Sequence, residues 1–433
     1  MPNQGPYMSD IEFSKSNDYL PRYADSLLQK HLKRSGAVQI KGPKWCGKTA
    51  TAIRACESFV FMQDPDKSDS LIALADTKSS LILEGAKPRL IDEWQVAPKL
   101  WDAVRFAVDK SRARGQFVLT GSATPVEKPA HSGVGRISRM VMRPMSLYES
   151  KESTGAVSLA ALFEGNAEVA GLVDADIEHI AYLVCRGGWP EAVREEDPSV
   201  ALDMANLYID EFLDTDVLEM DEVRRNTNWM RAILRSYARN SSVQASVKTI
   251  TEDIGGETPS QGTVSDYIDA LKRAYLVEDL EAWNPKLRSK TAVRTSPTRH
   301  FVDPSLAAAA LGATPKKLLN DFETFGLLFE SMCIRDLRIY VESLGGRLYH
   351  YRDKSNHEAD AVAVLPDGRW GLIEVKLGSR QVEAAANTLN KIAQKVDTKV
   401  EGGASFLMVL TGTQSAYLRE DGVAVVPITC LCA

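Results

Sequence analysis

The sequence predicts an α/β protein of several domains, and three observations carry that prediction. Residues 1–150 alternate apolar strand candidates with amphipathic helices, the pattern of a parallel sheet covered on both faces. Residues 313–433 return to strands separated by helices. Between them lie an acidic helical stretch at 151–225 and, at 226–312, a helix–turn–helix pattern followed by short strands. The chain of 433 residues is long enough for about two to four domains at roughly 100–200 residues each. Its 44% hydrophobic and 25% charged content is ordinary for a globular protein, which excludes collagenous, disordered and disulfide-stapled classes.

In the first region the strand candidates are AVQIKG (37–42), SFVFMQ (58–63), PRLIDEW (88–94), QFVLTGS (116–122) and SRMVMRPMS (138–146). LWDAVRFAVDKSRA (100–113) has helical periodicity. In the acidic stretch, LDMANLYIDEFLDTDVLEM sets apolar residues on one helical side and carboxylates on the other. The final region opens with the helix ETFGLLFESMCIRDLRIYVESL. Strands around LYHYRD, DAVAVLP and WGLIEVKL follow, then a helix at QVEAAANTLNKIAQK and strands FLMVLTG and GVAVVPI. Proline and polar clusters near 284–298 and 312–317 mark boundaries.

The most specific pattern is GPKWCGKT, residues 42–49, which matches GxxxxGK[ST] between a strand and a helix. Such a loop turns its N–H groups inward, and the helix N-terminus behind it favours phosphate. The contact set is Gly42, Pro43, Lys44, Trp45, Cys46, Gly47, Lys48, Thr49 and Ala50. Lys48 would meet the β- and γ-phosphates of ATP, and Thr49 would offer its hydroxyl to Mg²⁺. A later strand ends in Asp92 and Glu93. Asp92 would hold Mg²⁺ through its water shell, and Glu93 would orient and deprotonate the attacking water. A third strand ends Leu119-Thr120-Gly121-Ser122, with Ser122 the expected γ-phosphate sensor. Arg136 is the expected arginine finger, reaching a neighbouring subunit and so implying a homo-oligomer, with Arg139 and Arg143 as competitors. A surface role for Arg136 stands beside that one.

GPKWCGKT, LIDEWQ, VLTGSATP and GRISRMVMRPMSLYE together resemble the AAA-type P-loop ATPase module of prokaryotic proteins that carry a C-terminal DUF4143 domain. Arg22 in YLPRYAD is similar to that family's N-terminal pattern. CRGGWPEAV (185–193), TVSDYIDALKRAYLVEDLEAW and FVDPSLAAAAL resemble the DUF4143 half. Trp45 and Cys46 depart from the polar residues many relatives carry in the loop. The resemblance implies an AAA-type parallel-sheet domain (1–150), a helical linker or lid (151–225), a winged helix (226–312) and a restriction-endonuclease-like α/β domain (313–433).

Within 226–312, VKTITEDIG reads as a supporting helix, Ser260 as an N-cap and QGTVSDYIDALKRAY as the second helix. Strand LVEDLEAW leads into a basic hairpin whose Lys286, Arg288 and Lys290 are candidate phosphate contacts to DNA. Asp266 and Asp269 on the second helix are poor neighbours for phosphate. DNA contact and protein contact both stand as readings of this module.

Asp360, then Glu374-Val375-Lys376 on the next apolar strand, resembles the PD-(D/E)xK nuclease core. Residues 374 and 376 share one face of a strand. Asp360 and Glu374 would share a Mg²⁺, Lys376 would orient water, and Glu330 on the preceding helix would add a carboxylate, with Glu358 an alternate. A structural ion-pair network or a binding-only domain is the competing reading.

Cys46, Cys56, Cys185, Cys333, Cys430 and Cys432 form no CxxC pair and have no histidine at zinc spacing, which points to isolated thiols in a reducing compartment. No apolar run approaches the ~18 residues of a membrane span, and the polar N-terminus does not read as a secretory signal. The expected location is cytoplasmic. The acidic stretch hides a basic excess elsewhere, so the net charge of −6 does not argue against nucleic acid.

Overall fold

The computed structural model describes residues 19–121, 132–216, 225–255, 259–284, 296–353, 355, 357–396 and 402–433. The chain divides into two compact units, Met1–Arg143 and Pro144–Ala433. The segments read as linker, winged module and C-terminal domain all fall in the second unit.

In the first unit, α1 (Tyr23–Arg34) leads into β1 (Ala37–Lys41), α2 (Lys48–Ala55), β2 (Ser58–Phe61) and α3 (Ser68–Ile82). β3 (Arg89–Asp92), α4 (Lys99–Ser111), β4 (Phe117–Thr120) and β5 (Ile137–Val141) complete it. The sheet order is β2-β3-β4-β1-β5 and every pairing is parallel. β1 is therefore flanked by β4 and β5, and the order reverses beside it. Open parallel sheets place ligands at that switch point, outside the carboxyl ends of the strands. α4 buries Leu100, Trp101, Val104 and Val108, a helical stripe that packs on Ile91, Leu119 and Ile137. The strand expected over 138–146 stops at Val141. Pro144 lacks a ladder donor, and the unit boundary falls just before it.

The second unit begins with β6 (Val157–Ser158), α5 (Leu159–Glu164), β7 (Ala170–Leu172), α6 (Ile177–Arg186), α7 (Pro190–Arg194) and α8 (Pro198–Glu211). Helices α9 (Thr227–Arg239), α10 (Val247–Ile254), α11 (Gln261–Arg273), α12 (Pro304–Leu311), α13 (Pro315–Leu318) and α14 (Phe322–Ser343) follow. Then come β8 (Arg347–Arg352), β9 (Glu358–Val364), β10 (Trp370–Lys376), α15 (Val382–Lys395), β11 (Phe406–Thr411), β12 (Ser415–Leu418), β13 (Val423–Pro427) and β14 (Leu431–Cys432).

Seven strands form one sheet in the order β7-β12-β13-β11-β10-β9-β8. β8, β9 and β10 run antiparallel, and α15 carries the chain from β10 to a parallel β11. α15 covers the sheet with Val382, Ala385, Ala386, Leu389 and Ile392, against Trp370, Leu372 and Val409. The acidic stretch is more than a connector, because β7 pairs with β12 and β6 pairs with β14. The α10 and α11 helices are present, capped by the Ser246 and Ser260 side chains. The strand expected from LVEDLEAW appears as isolated bridges, Val277 with Phe301, Leu280 with Thr298 and Ala282 with His350.

One buried ion network organises this unit. Arg335 on α14 pairs with Asp303 at 2.8 Å and Asp336 at 2.7 Å. Asp303 also accepts the Gly188 N–H at 3.0 Å, and Asp336 the Leu147 N–H at 2.9 Å. The carboxylates thus spend their remaining acceptor capacity on turn backbone, which is what a buried charge needs to be tolerated.

Candidate nucleotide and carboxylate sites

The glycine-bounded loop leaves the carboxyl end of β1 and closes on the N-terminus of α2. Gly42 has φ 149°, and a Cβ there would stand 2.1 Å from the Met142 carbonyl oxygen, so no side chain fits. Gly47 is left-handed, at φ 95°, immediately before the helix. Trp45 is left-handed too, at φ 61°, a conformation that costs a non-glycine residue about 1–2 kcal/mol. Its side chain is 40% exposed, whereas Cys46 is fully buried and directs its Sγ at the Met142 carbonyl. Lys48 is buried, and its Nζ donates to the Gly42 and Pro43 carbonyls at 3.1 and 2.6 Å. The ammonium thus lies against the loop backbone. Lys44 is half-buried and Ala50 exposed in the first turn of α2.

Parallel pairing brings the ends of β3 and β4 beside this loop. The Thr49 hydroxyl donates to Asp92 Oδ1 at 2.8 Å, and the Thr120 hydroxyl donates to the same oxygen. Burial raises the Asp92 carboxyl above the ordinary aspartate value, opposed by those two hydroxyls. Glu93 follows in a left-handed conformation, φ 51°, which turns the chain out of the strand. Gln95 Nε2 donates to Glu93 Oε2, and a Cβ at Gly121 would stand 2.2 Å from Gln95 Oε1. Gln95 therefore sits between Glu93 and the turn after β4.

Ser122, the expected γ-phosphate sensor, lies outside the described residues, while Thr120, within the strand, joins Thr49 as a donor to Asp92. Thr120 stood in the same string, as the last residue of β4. Gln95 closes the LIDEWQ string, but its residue type alone gave it no role there. Arg136 is not brought to this chain's own loop. Ala37 pairs with Ile137, so Arg136 lies at the amino edge of the sheet while the loop leaves the carboxyl edge. There its Nε donates to Asp109 Oδ1 at 2.7 Å. Arg139 lies on exposed β5 surface with its guanidinium 5.5 Å from the Trp101 ring centroid. Arg143 is buried at the carboxyl end of β5, on the loop's side of the sheet.

In the second unit, Asp360, Glu374 and Lys376 converge. Lys376 Nζ stands 2.8 Å from Glu374 Oε1 and 3.7 Å from Asp360 Oδ2. The Val375 N–H donates to Asp360 Oδ2 at 2.7 Å. Glu374 Oε2 is buried without a hydrogen-bond partner. Burial and the Asp360 charge push the Glu374 carboxyl up to about 8, against the pull of Lys376. Burial and Asp360 likewise hold Glu330 well above the ordinary range. Burial works against the Lys376 ammonium, yet Asp360 and Glu374 keep its pKa above the usual lysine value. Glu358 joins the edge of the group and accepts from Gln244 at 3.3 Å. Among the described residues, no set of three or more His, Cys, Asp or Glu stands in an arrangement that could hold a metal ion. Lys376 thus stands between the Asp360 and Glu374 carboxylates.

Asp266 and Asp269 are exposed on α11, and Lys286, Arg288 and Lys290 lie outside the described residues. Among the described residues the six cysteines are free thiols, and no helix is long and apolar enough to cross a membrane.

A family model described as an AAA domain matches residues 34–151, a domain of unknown function named DUF8612 matches 177–317, and DUF4143 matches 325–431. The strings CRGGWPEAV, TVSDYIDALKRAYLVEDLEAW and FVDPSLAAAAL, expected in the DUF4143 half, thus all fall under the middle model, and the DUF4143 match begins within α14. Two uncharacterized proteins, from Mycobacterium tuberculosis and Mycobacterium bovis, are each 25% identical over 361 residues, 82% of this chain and 73% of theirs. The Walker-type ATPase PABY2304 of Pyrococcus abyssi superposes with a TM-score of 0.41 at 14% identity, over 69% of this chain and 97% of that one. The ORC1 protein of Aeropyrum pernix, solved in complex with DNA, gives a TM-score of 0.22 at 17% identity, over 68% and 93%. Neither score carries an argument about function.

Proposed function

We propose that this chain, which matches an AAA-domain model over residues 34–151 and the DUF4143 model over 325–431, is a P-loop protein that binds ATP with Mg²⁺ and hydrolyses it to ADP and phosphate. The observation that carries the proposal is the meeting of Thr49, Asp92 and Thr120 beside the Lys48 loop. The donors there are all oxygen, the ligand type Mg²⁺ takes. Thr49 and Asp92 would hold the ion, which when bound supplies positive charge to the β- and γ-phosphate oxygens.

The chain's own residues account for the rest. The loop's N–H groups and the α2 N-terminus cradle the phosphates. Lys48 exchanges its two carbonyl partners for phosphate oxygens, which repay it with a charge-assisted contact. Glu93, turned out of β3 and held by Gln95, orients the attacking water and takes its proton. Thr120 keeps Asp92 in place, and Ser122 remains the proposed γ-phosphate sensor. The position of Arg136 on the far edge leaves one catalytic role to it, as a finger donated to a second copy of the chain. Steady-state phosphate release by the wild type, compared with Glu93→Gln and Lys48→Ala, tests this. Release no faster than that of Glu93→Gln rejects hydrolysis. Tight labelled-ATP binding with little release in the wild type supports the alternative of a nucleotide-gated switch.

A second reading concerns the carboxylate cluster. The α14–β8–β9–β10–α15–β11 succession and the Asp360, Glu374, Lys376 and Glu330 grouping support a nuclease-like fold. We place DNA contact at Lys286, Arg288 and Lys290. Duplex binding that does not weaken with salt counts against phosphate contacts. Mg²⁺- or Mn²⁺-dependent cutting abolished by Lys376→Ala would favour the nuclease instead. A cytoplasmic location completes the proposal.

A further inference from the structure

Arg22 precedes the first helix and is 7% exposed, an unusual burial for arginine. Its backbone N–H is capped by Asp25 Oδ2 at 2.9 Å, which fixes the residue at the mouth of α1. Its guanidinium has two backbone partners. Nη1 donates to the Cys46 carbonyl at 3.0 Å, and Nη2 donates to the Arg143 carbonyl at 2.7 Å. One planar fork therefore joins the phosphate loop to the end of β5. Lysine, with a single nitrogen, lacks that fork geometry.

The Cys46 contact has a definite consequence. A trans peptide is planar, and its C=O and N–H point in opposite directions. Holding the Cys46 carbonyl outward against Arg22 therefore holds the Gly47 N–H facing the other way, into the loop's cup. Gly47, at φ 95°, could rotate its peptide at little cost. Trp45, in a left-handed conformation, strains the same stretch. The Arg22 Nη1 contact opposes turning over of that peptide. The Arg143 contact anchors the other end of the fork at the last residue of the first unit.

We propose that Arg22 is a positioning residue for the nucleotide site: it orients the Cys46–Gly47 peptide for phosphate and ties that peptide to the strand end at Arg143. The inference rests on the ATP-binding reading above. It adds that phosphate capture by the loop is felt at Arg143, where the chain passes into the second unit.

The test uses the full chain, fluorescently labelled ATP with Mg²⁺, and hydrogen exchange with and without ATP. Arg22→Ala is expected to weaken labelled-ATP binding on the order of tenfold or more, the factor for a lost charged hydrogen bond. Arg22→Lys is expected to recover part of it, and guanidinium ion at millimolar concentration to restore affinity to Arg22→Ala but not to Lys48→Ala. A role confined to stability predicts no such rescue. In the wild type, ATP is expected to slow exchange over 139–143, and Arg22→Ala to lose that effect. Wild-type affinity in Arg22→Ala overturns the proposal. Should Arg22→Ala fail to fold, Arg22→Lys decides it: wild-type affinity together with ATP-dependent protection of 139–143 overturns the proposal equally. If the wild type binds no labelled ATP, the nucleotide reading fails first, and the two failures are distinct.

Discussion

Gly188→Ala should unlock the turn that Asp303 clamps. An ideal Cβ at Gly188 would stand 2.0 Å from the Met145 carbonyl oxygen and 2.7 Å from the Met145 nitrogen. Both lie well inside the ~3.5 Å at which carbon contacts turn favourable, and both are backbone, so no rotamer change relieves them. The backbones must separate. That separation breaks the Met145 N–H bond to the Gly188 carbonyl at 2.6 Å and pulls the Gly188 N–H off Asp303 Oδ2 at 3.0 Å. A neutral backbone bond is worth about 1 kcal/mol and a bond to a charged group about 1.5–3 kcal/mol, so the total is about 3 kcal/mol. That corresponds to opening of this turn on the order of a hundredfold more often. Hydrogen exchange followed over 145–150 and 183–193 reads the effect directly and needs no two-state assumption. Gly326→Ala is the control: it lies within α14 with nothing inside 4 Å of its Cβ. It should cost nothing and can gain up to about 1 kcal/mol. Wild-type protection in Gly188→Ala would refute the steric argument, because it would show that the two backbones part without penalty.

Two further outcomes follow from the sites. Thr49→Ala removes one of the two hydroxyls on Asp92, and it should erase most of the Mg²⁺-dependent gain in ATP affinity while leaving metal-free binding nearly intact; titration with and without Mg²⁺ checks this, and an unchanged Mg²⁺ increment contradicts it. The pH dependence of the second unit should carry the mark of Glu374, whose carboxyl rises from the ordinary 4.5 to about 8 on folding. The folded chain then holds a proton that the unfolded chain has released, so this contribution is complete below about pH 4.5 and fades as pH rises through 8. Glu374→Gln should flatten that decline between pH 5.5 and 8.5 in denaturant midpoints, and an identical slope in wild type and variant would remove Glu374 from the account.

The glycine-bounded loop was legible in the sequence because its signal is local. GPKWCGKT places glycines where the backbone must turn left-handed or approach Met142, and adjacency in the chain is adjacency in space. Asp92 and Glu93 were legible for a similar reason: they end a short apolar strand, and a parallel sheet gathers such ends on one edge. The Asp360, Glu374 and Lys376 grouping needed only one hairpin and the two-residue period of a strand.

Other assignments depended on pairings between distant residues. Arg136, Arg139 and Arg143 lie three and four residues apart along and just before one strand pattern, and nothing within it says which end meets the loop. The parallel register of β5 on β1 settled that, sending Arg136 to the amino edge and Arg143 to the carboxyl edge. The choice of Thr120 as the hydroxyl on Asp92 came from the pairing of β3 with β4. The acidic stretch read as a connector because its short strand β7 finds its partner, β12, more than two hundred residues later. By itself, then, the sequence determined the phosphate loop, the carboxylates and the alternating α/β plan, since backbone conformation and residue period are written within a few neighbouring positions. Only the tertiary structure decided which arginine, which hydroxyl and which edge strand each site received, since sheet register is a contest among distant segments that no single segment encodes.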